Sequence, residues 1–169
     1  DILTDEKGLA ISKRKITLST SGVVPKIKVF KDDSDVNLAV SLHAAFDEIR
    51  NELVPINKKW PISVLLEALK EYSNTRKNKR ITFEYIMLKD INDSMNDAKE
   101  LIKLIRPFKA KINLIPFNPW PGSKYKVSSE EKIENFKNYI LDKGKLVATI
   151  RSPRGEDVLA ACGQLKSLG

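Results

Sequence analysis

Two hydrophobic patterns alternate along the chain, short β-rich apolar runs and longer amphipathic stretches. The short runs predict five strands, over residues 16–20, 36–42, 81–88, 111–117 and 146–150. The second run, VNLAVSL, is almost continuously apolar, which is typical of a strand buried in a parallel sheet.

The amphipathic stretches carry apolar residues at helical spacing and predict helices between the strands. A short helix over 47–54 is stopped by Pro55, and Pro61 stands near the start of the next one. Cap-type residues at 92–94 precede another helix. Ser128 and Glu131 have capping-box spacing before a helix that closes at Gly144. The apolar stripes are Val24, Ile27 and Phe30; Leu65, Leu66, Leu69 and Tyr72; Ala98, Leu101, Ile102 and Ile105; and Ile133, Phe136 and Ile140.

The repeated βα order predicts an α/β fold, a parallel sheet with helices on its outer face. The pattern does not decide between an open sheet and a partial barrel. A terminal turn of helix is expected over 157–161. No linker or internal repeat is evident, so residues 1–169 are interpreted as one domain or one piece of a domain.

Composition adds a basic surplus, 30 Lys and Arg against 22 Asp and Glu, for a net charge of +8. This charge favours a polyanionic partner such as a nucleic acid. Because the lysines are scattered rather than massed, a generally Lys-rich protein is the alternative. No apolar run is long enough to cross a bilayer and no signal-peptide pattern opens the chain, so a cytoplasmic protein without a membrane partner is expected. The polar opening residues 1–7 lack a starting Met and indicate a piece of a longer protein.

The chain has one cysteine and one histidine. A single thiol can neither form an internal disulfide nor hold an iron–sulfur cluster, which needs three or four thiolates. With one histidine and no clustered cysteines, a zinc site made by this chain alone is not expected, so no metal ligand is predicted.

Polar residues and glycines follow the predicted strands, where α/β enzymes place their active sites. Residues 19–22 (STSG) offer hydroxyls and N–H groups for a ribose, carboxylate or phosphate, or form only a helix cap and a turn. His43 has a pKa suited to proton exchange if it is functional, and is otherwise a structural histidine. Asn118 is held between prolines, and Trp120 either stacks on a base or packs its loop. Cys162, among small neighbours, is either an accessible nucleophile or a small buried hydrophobe.

Six segments taken together resemble the bacterial dual-specificity ribosomal- and transfer-RNA adenine carbon-2 methyltransferases. The likeness runs in order over nearly the whole chain, and VPIN, INLIPFNP and AACGQL are individually specific. The segments are ITLSTSGVVPKI (16–27), VNLAVSLHA (36–44), NELVPINKKWP (51–61), ITFEYIMLKDIND (81–93), KINLIPFNPWPG (111–122) and RGEDVLAACGQL (154–165).

The resemblance implies a fold and a set of site residues. The fold is the later βα units of a radical-SAM partial (β/α) barrel with parallel strands. By motif, Cys162 is the catalytic methyl carrier, as an S-methylcysteine intermediate. The residues expected to contact S-adenosylmethionine are Ser19, Ser41, Leu42, His43 and Asn118.

The resemblance also implies methylation of carbon 2 of adenine in 23S rRNA and tRNA, with S-adenosylmethionine and a 4Fe–4S cluster as cofactors. The family's CxxxCxxC motif, second catalytic cysteine and N-terminal RNA-binding domain have no counterpart in this chain. The chain therefore corresponds to a C-terminal part whose cluster ligands lie elsewhere, and it is expected to be inactive alone. Its expected partners are the two RNAs, the missing N-terminal segment and an electron donor. The alternatives are a non-catalytic RNA- or partner-binding remnant and the sister family that methylates adenine carbon 8.

Overall fold

Five parallel strands form one sheet in the order β1-β2-β3-β4-β5. The structure, a computed structural model, describes residue 12 and residues 15–33, 36–75 and 80–151. All five predicted strands are confirmed to within one residue at each end. The strands are β1 Thr17–Thr20, β2 Asn37–Ser41, β3 Ile81–Met87, β4 Ala110–Pro116 and β5 Val147–Ile150.

A helical connection follows each of the first four strands, so the predicted βα alternation is confirmed. The helices are α1 Val24–Asp33, α2 Asp47–Leu53, α3 Ile62–Asn74, α4 Met95–Ile105 and α5 Glu130–Tyr139. A 3-10 turn, Pro55–Lys58, separates α2 from α3, and a π turn, Ile140–Gly144, extends α5. The turn of helix predicted over 157–161 lies outside the described residues.

The helices pack on one face of the sheet. Along β3, alternate side chains from Ile81 to Met87 are buried, whereas Thr82, Glu84 and Ile86 between them are only partly covered. The buried set belongs to the same hydrophobic cluster as the apolar stripes of α1, α3, α4 and α5. A sheet whose strands follow chain order, with helices on one face, has the arrangement of barrel units rather than of a doubly wound fold.

A capping box starts α4, as the cap-type residues before it predict. The Ser94 hydroxyl accepts a hydrogen bond from the Asp97 N–H at 3.2 Å, and the Asp97 carboxylate accepts one from the Ser94 N–H at 3.1 Å. We expect Ser94→Ala to lower the free energy of unfolding by about 1 kcal/mol, because the Asp97 N–H loses its side-chain acceptor and the capping box is broken. Exposed Ser63 in α3 is the control, and Ser63→Ala should stay within about 0.5 kcal/mol in the same urea titration.

The capping box predicted for α5 from Ser128 and Glu131 is wrong by one residue. The N-cap is Ser129, whose hydroxyl accepts from the Lys132 N–H at 3.3 Å. Ser128 is buried, and its hydroxyl donates to a carboxylate oxygen of Asp93 at 2.8 Å. Spacing alone cannot choose between adjacent serines, and here burial of the first leaves the second free to cap the helix.

Candidate functional site

The loops that follow the five strands meet at one border of the sheet, which we call the carboxyl edge. Its first residues are Ser21, Leu42, Leu88, Phe117 and Arg151, each directly after its strand. Parallel strands bring these ends together, and such an edge is the usual location of binding sites in α/β folds. The structure therefore places the polar segments noted in the sequence along a common border.

His43 lies at this edge, in the loop after β2, and has an unusual backbone conformation. Its φ of 60° lies in the left-handed region, which non-glycine residues seldom adopt. The N–H groups of Leu42 and His43 both donate to the Glu84 carbonyl, at 3.0 and 3.1 Å. The His43 ring accepts at Nδ1 from the Ile86 N–H at 3.2 Å, so we assign its proton to Nε2.

The environment of His43 keeps its ring neutral. Burial lowers its pKa from 6.5 to about 4, and the nearby positive charge of Arg50 acts in the same direction. At neutral pH the ring is therefore a hydrogen-bond donor through Nε2 rather than the proton-exchanging group considered from the sequence. This chemistry suits it to hold a polar ligand atom.

A row of polar side chains crosses the sheet face that lies opposite the helices. Ser41, Glu84, Asn113 and Thr149 are register partners on four neighbouring strands. The Ser41 hydroxyl donates to the Glu84 carboxylate at 3.5 Å, and the Thr149 hydroxyl donates to the Asn113 side-chain carbonyl at 3.2 Å. Glu84 places a carboxylate on the central strand beside Ser41, which the alternation of the sequence did not single out as functional.

Ser19 and Leu42, two other predicted ligand contacts, differ in what they can offer. Ser19 is exposed on β1 and pairs in register with Ala39, so it shares the polar face. The Leu42 side chain is fully buried in the core, and its main-chain N–H and carbonyl already have partners. Leu42 therefore contributes to the edge mainly by fixing Ser41 and His43 on either side.

Arg50 is a fully buried residue of α2 that sequence reasoning missed. Its Nε donates to the Leu42 carbonyl at 3.0 Å, and its Nη2 donates to the carbonyls of Ser21 and Ser41 at 2.9 and 3.1 Å. Burial lowers its pKa to about 10, against the opposing charge of Asp47, so the guanidinium is charged at neutral pH. This one side chain joins the loops after β1 and β2.

The VPIN motif acquires a structural explanation from the same cluster. Asn57 is buried, and its side-chain carbonyl accepts from Arg50 Nη1 at 2.7 Å. Its amide donates to side-chain oxygens of Asp47 and Asn51, both at 2.8 Å. Asp47 Oδ1 also accepts from the Ile62 N–H at 2.9 Å, which ties the start of α3 into the cluster.

Position 22 of the STSG segment requires glycine, both for its backbone conformation and because neighbouring side chains lie close to it. Its φ is +106°, and an added Cβ would lie 3.2 Å from Arg50 Nη2 and 3.3 Å from a Leu65 methyl group. We expect Gly22→Ala to lower the free energy of unfolding by about 2–3 kcal/mol, as strain and crowding add. Gly122→Ala is the matched control, with φ +85° and no atom within 4 Å of an added Cβ, and should cost only about 1 kcal/mol. Equal losses in urea unfolding would mean that the crowding at Gly22 is relaxed without cost.

Asn92 supports the His43 loop from the side of β3. Its buried amide donates to the carbonyls of His43 and Ile86 at 2.8 and 2.7 Å, and its side-chain oxygen accepts from the Leu88 N–H at 2.8 Å. The Tyr85 hydroxyl donates to its main-chain carbonyl at 2.7 Å. The sequence marks Asn92 only as a cap-type residue, but its side chain closes a loop instead.

Asp93, the next residue, connects the loop after β3 to the segment before α5. It is almost fully buried, and its carboxylate accepts from the Ser128 hydroxyl and pairs with Lys132 at 2.9 Å. An antiparallel bridge between Leu88 and Val127 lies beside it. These contacts fix the end of the long loop that begins after β4.

Asn118, the remaining predicted ligand contact in the described part of the chain, is exposed in the loop after β4. Phe117 organises the loop, because its ring packs edge-on against the rings of Trp120 and Tyr125. The distances between ring centres are 5.3 Å to Trp120 and 6.2 Å to Tyr125. Trp120 therefore packs its own loop while remaining 41% exposed. The structure brings Ser41 and His43 together, and it places Asn118 two strands away along the same edge.

Glu52 connects the helix α2, which follows β2, to the loop after β4. Its carboxylate pairs with Lys124 and accepts from the Tyr125 hydroxyl at 3.0 Å. The pKa of Glu52 is lowered, first by the hydrogen bond from Lys124 and then by that from Tyr125. The loop that carries Asn118 is thus tied to the helix that carries Arg50.

Three exposed basic residues also lie at this edge. Lys58 and Lys59 follow α2, and Arg151 follows β5. Lys59 stands over the Trp60 ring with its ammonium 4.9 Å from the ring centre.

Cys162 and Arg154 lie outside the described residues. Within the described part, no group of three or more His, Cys, Asp or Glu side chains could hold a metal ion. The same part contains no helix with the length and apolarity to span a membrane.

No protein-family model matches the chain. Over 98% of its length it is 57% identical to a protein of Bradyrhizobium sp. (strain ORS 278) and 59% identical to one of Brucella ovis, both named dual-specificity RNA methyltransferase RlmN. The chain spans only 41% and 40% of those two proteins. It superposes on a radical SAM methyltransferase from Sphaerobacter thermophilus with a TM-score of 0.89 and 43% identity, over 96% of this chain and 48% of the other. A domain of pyruvate-formate lyase-activating enzyme from Bacteroides vulgatus shares the fold at 14% identity, with a TM-score of 0.62 over 80% of each chain.

Proposed function

Because this chain belongs to the radical-SAM family of dual-specificity RNA methyltransferases, we propose that it supplies the later βα units of such an enzyme's catalytic barrel. The observation that carries the proposal is 57% identity over 98% of the chain. Residues 1–169 then form the C-terminal part of the methyltransferase core. The cluster-binding segment and an RNA-binding domain belong to other parts of the enzyme.

The residues at the carboxyl edge fit S-adenosylmethionine chemically. This molecule presents an amino group, a carboxylate, ribose hydroxyls and an adenine, so its site needs both donors and acceptors. Ser41 and His43 offer a hydroxyl and a fixed Nε2 donor, and Glu84 offers a carboxylate beside them. We propose that Ser19, Ser41, His43 and Asn118 hold it with their side chains, and that Leu42 contributes by fixing Ser41 and His43 on either side of it.

The iron–sulfur cluster does not fit this chain. A 4Fe–4S cluster takes three or four cysteine thiolates, and the sequence contains Cys162 alone. The cluster ligands are therefore assigned to the rest of the enzyme, which predicts that the isolated chain is inactive. An external electron donor would reduce the cluster there.

The chemistry that we assign to this chain is nucleophilic and positional. Bound S-adenosylmethionine supplies the methyl group and, at the reduced cluster, the radical that activates it. The Cys162 thiolate would displace the methyl group from the sulfonium sulfur of S-adenosylmethionine, so that the bond from Cys162 sulfur to the methyl carbon forms as the sulfonium–methyl bond breaks and S-adenosylhomocysteine leaves. Cys162 would then carry the methyl group as S-methylcysteine. The carboxyl edge holds the ligand in place while the methyl carbon is delivered to carbon 2 of an adenine.

The proposed substrates are 23S rRNA and tRNA, in keeping with the dual specificity in the relatives' names. An adenine would leave its stack to reach the edge. A net charge of +8 supports a polyanionic partner, and we assign the enzyme to the cytoplasm, where these RNAs are.

We expect the four basic residues Lys58, Lys59, Arg151 and Arg154 to contact phosphates. Replacing all four with Ala in the full-length enzyme should weaken RNA binding and lower the slope of log affinity against log salt by up to about 4. The control replaces Lys99, Lys103, Arg106 and Lys109, exposed residues of α4 and the loop behind it, with Ala. A salt slope that falls equally in both variants would show that only total charge matters.

The decisive experiment is intact-mass analysis of the full-length enzyme after co-expression with cluster-assembly machinery. The proposal predicts an added methyl group mapped to Cys162 and lost in Cys162→Ala. If Cys162 stays unmodified although cluster and S-adenosylmethionine are bound, the methyl-carrier role is wrong and a non-catalytic remnant becomes the better description. The position of the methyl group on the adenine product separates carbon 2 from carbon 8.

A further inference from the structure

The buried charge of Arg50 is satisfied in an uncommon way. In the described part of the chain, no carboxylate lies within ion-pair distance of it, and its hydrogen bonds go to three main-chain carbonyls and one side-chain amide oxygen. A buried guanidinium is costly unless its donors are bonded. An apolar residue would fill the same space without that cost, so packing alone does not explain an arginine here.

The carbonyls that Arg50 holds belong to the proposed binding segments. Ser41 and Leu42 are themselves in the proposed site, and Ser21 follows Ser19 by two residues, directly after the neighbouring strand β1. A single Nη2 atom donates to both segments, at 2.9 Å to Ser21 and 3.1 Å to Ser41. The planar guanidinium therefore sets the separation between the end of β1 and the end of β2.

The orientation of Arg50 is fixed from its other side. Asn57 accepts from Nη1 at 2.7 Å, and the Asn57 amide is held by Asp47 and Asn51. The guanidinium has little freedom to turn, because both ends of its fork are engaged. The loops are consequently held in place before any ligand arrives, which reduces the ordering cost of binding.

We propose that Arg50 is a positioning residue for S-adenosylmethionine, which acts by locking the Ser19–Gly22 segment (19–22) to the Ser41–His43 segment (41–43). It does so through main-chain carbonyls and does not touch the ligand. This inference rests on the proposed function, because it presupposes that these segments bind the molecule.

The test is equilibrium binding of S-adenosylmethionine to the full-length, cluster-loaded enzyme under anaerobic conditions. Arg50→Lys keeps the charge and the aliphatic stem, but one ammonium group cannot reproduce the planar fork. We expect the Kd to rise about tenfold or more. The KM for S-adenosylmethionine should rise with it, whereas kcat at saturation stays within about twofold of the wild type.

Two controls separate positioning from general damage. Arg106 donates to the Lys143 carbonyl at the opposite end of the sheet, so Arg106→Lys makes the same change away from the edge and should leave the Kd unchanged. Ile105→Ala removes a fully buried core side chain of α4 and destabilises the fold at a distance. It should leave the Kd within about twofold although its loss of stability matches or exceeds that of Arg50→Lys.

The outcomes are distinct. A Kd of Arg50→Lys equal to that of the wild type overturns the inference, as does an equal rise in Ile105→Ala. If Arg50→Lys does not fold, Asn57→Ala gives the answer, because it frees one end of the fork while the three carbonyl bonds remain available. That variant should raise the Kd severalfold, and an unchanged value overturns the inference. A wild-type enzyme that fails to bind S-adenosylmethionine would instead reject the proposed function itself.

Discussion

Replacing Asn92 with Ala is expected to lower the free energy of unfolding by about 3–5 kcal/mol, a large fraction of the stability of a domain of this size. The loss arises because this one side chain bonds three main-chain groups, the buried N–H of Leu88 and the part-buried carbonyls of His43 and Ile86. Each group left without a partner costs about 1–3 kcal/mol. Chemical unfolding monitored by circular dichroism measures the change.

Two companion variants make the Asn92 prediction specific. Asn92→Asp keeps the shape of the side chain and the acceptor for the Leu88 N–H, but it places a carboxylate against the carbonyls of His43 and Ile86. It should therefore still lower the free energy of unfolding by more than about 2 kcal/mol. Exposed Asn96 lies in the first turn of α4, and Asn96→Ala should change stability by less than about 0.5 kcal/mol. If Asn92→Ala costs no more than Asn96→Ala, the loop is held by other contacts.

The strands and helices were accessible from the sequence because burial leaves a periodic trace. The nearly continuous apolar run of β2 and the stripe Leu65, Leu66, Leu69 and Tyr72 on α3 are both buried as predicted. The parallel direction of the strands followed from the βα alternation, since a helical crossover returns the chain to the edge where the next strand starts in the same direction. These inferences depend only on hydrophobic spacing, which does not require knowledge of distant contacts.

The residues that support the site, Arg50 and Asn92, left no such periodic signal in the sequence. Arg50 lies in the polar segment DEIRNEL, where an arginine is ordinarily exposed, and nothing local indicates that it is fully buried. Its partners Ser21 and Ser41 are 29 and 9 residues away. Asn92 is one of the three cap-type residues at 92–94 that precede α4, yet its side chain bonds to the carbonyl of His43, 49 residues earlier. Long-range polar contacts of this kind require coordinates.

The predicted ligand residues do not all lie together at the carboxyl edge. Ser41 and His43 adjoin each other at the carboxyl edge, as their position after a strand predicts. Position and residue type already pointed to Ser19, Asn118 and Cys162, and the family resemblance gave them specific roles and added Leu42; the contacts of all these residues with a ligand are predictions. Glu84 could have been noticed as a carboxylate inside a strand otherwise rich in apolar and aromatic residues, ITFEYIM. A charge at the centre of a central strand is unusual enough to suggest a ligand-facing role.

The second large effect concerns pH, and its sign follows from the pKa of His43. This pKa is lowered from 6.5 to about 4 in the folded chain by burial and by Arg50. Between these two values the unfolded chain binds a proton that the folded chain does not, so the free energy of unfolding falls as the pH is lowered. Above about pH 6.5 the contribution of His43 to the free energy of unfolding is complete. Near pH 4, about 3 kcal/mol of this contribution has been lost.

His43→Asn is the matched variant that isolates this titration. Asparagine tolerates the left-handed backbone at this position, and its side-chain oxygen can accept the Ile86 N–H in place of Nδ1. It does not titrate, and the carboxylates common to both proteins cancel when the two stabilities are subtracted. The stability of the wild type relative to His43→Asn should therefore decrease steadily from pH 7 to pH 4.5, by about 1.4 kcal/mol per pH unit at most. A difference that stays constant over this range would mean that the folded chain accepts the proton as readily as the unfolded one, and His43 could then enter the reaction as an acid or base rather than as a fixed Nε2 donor.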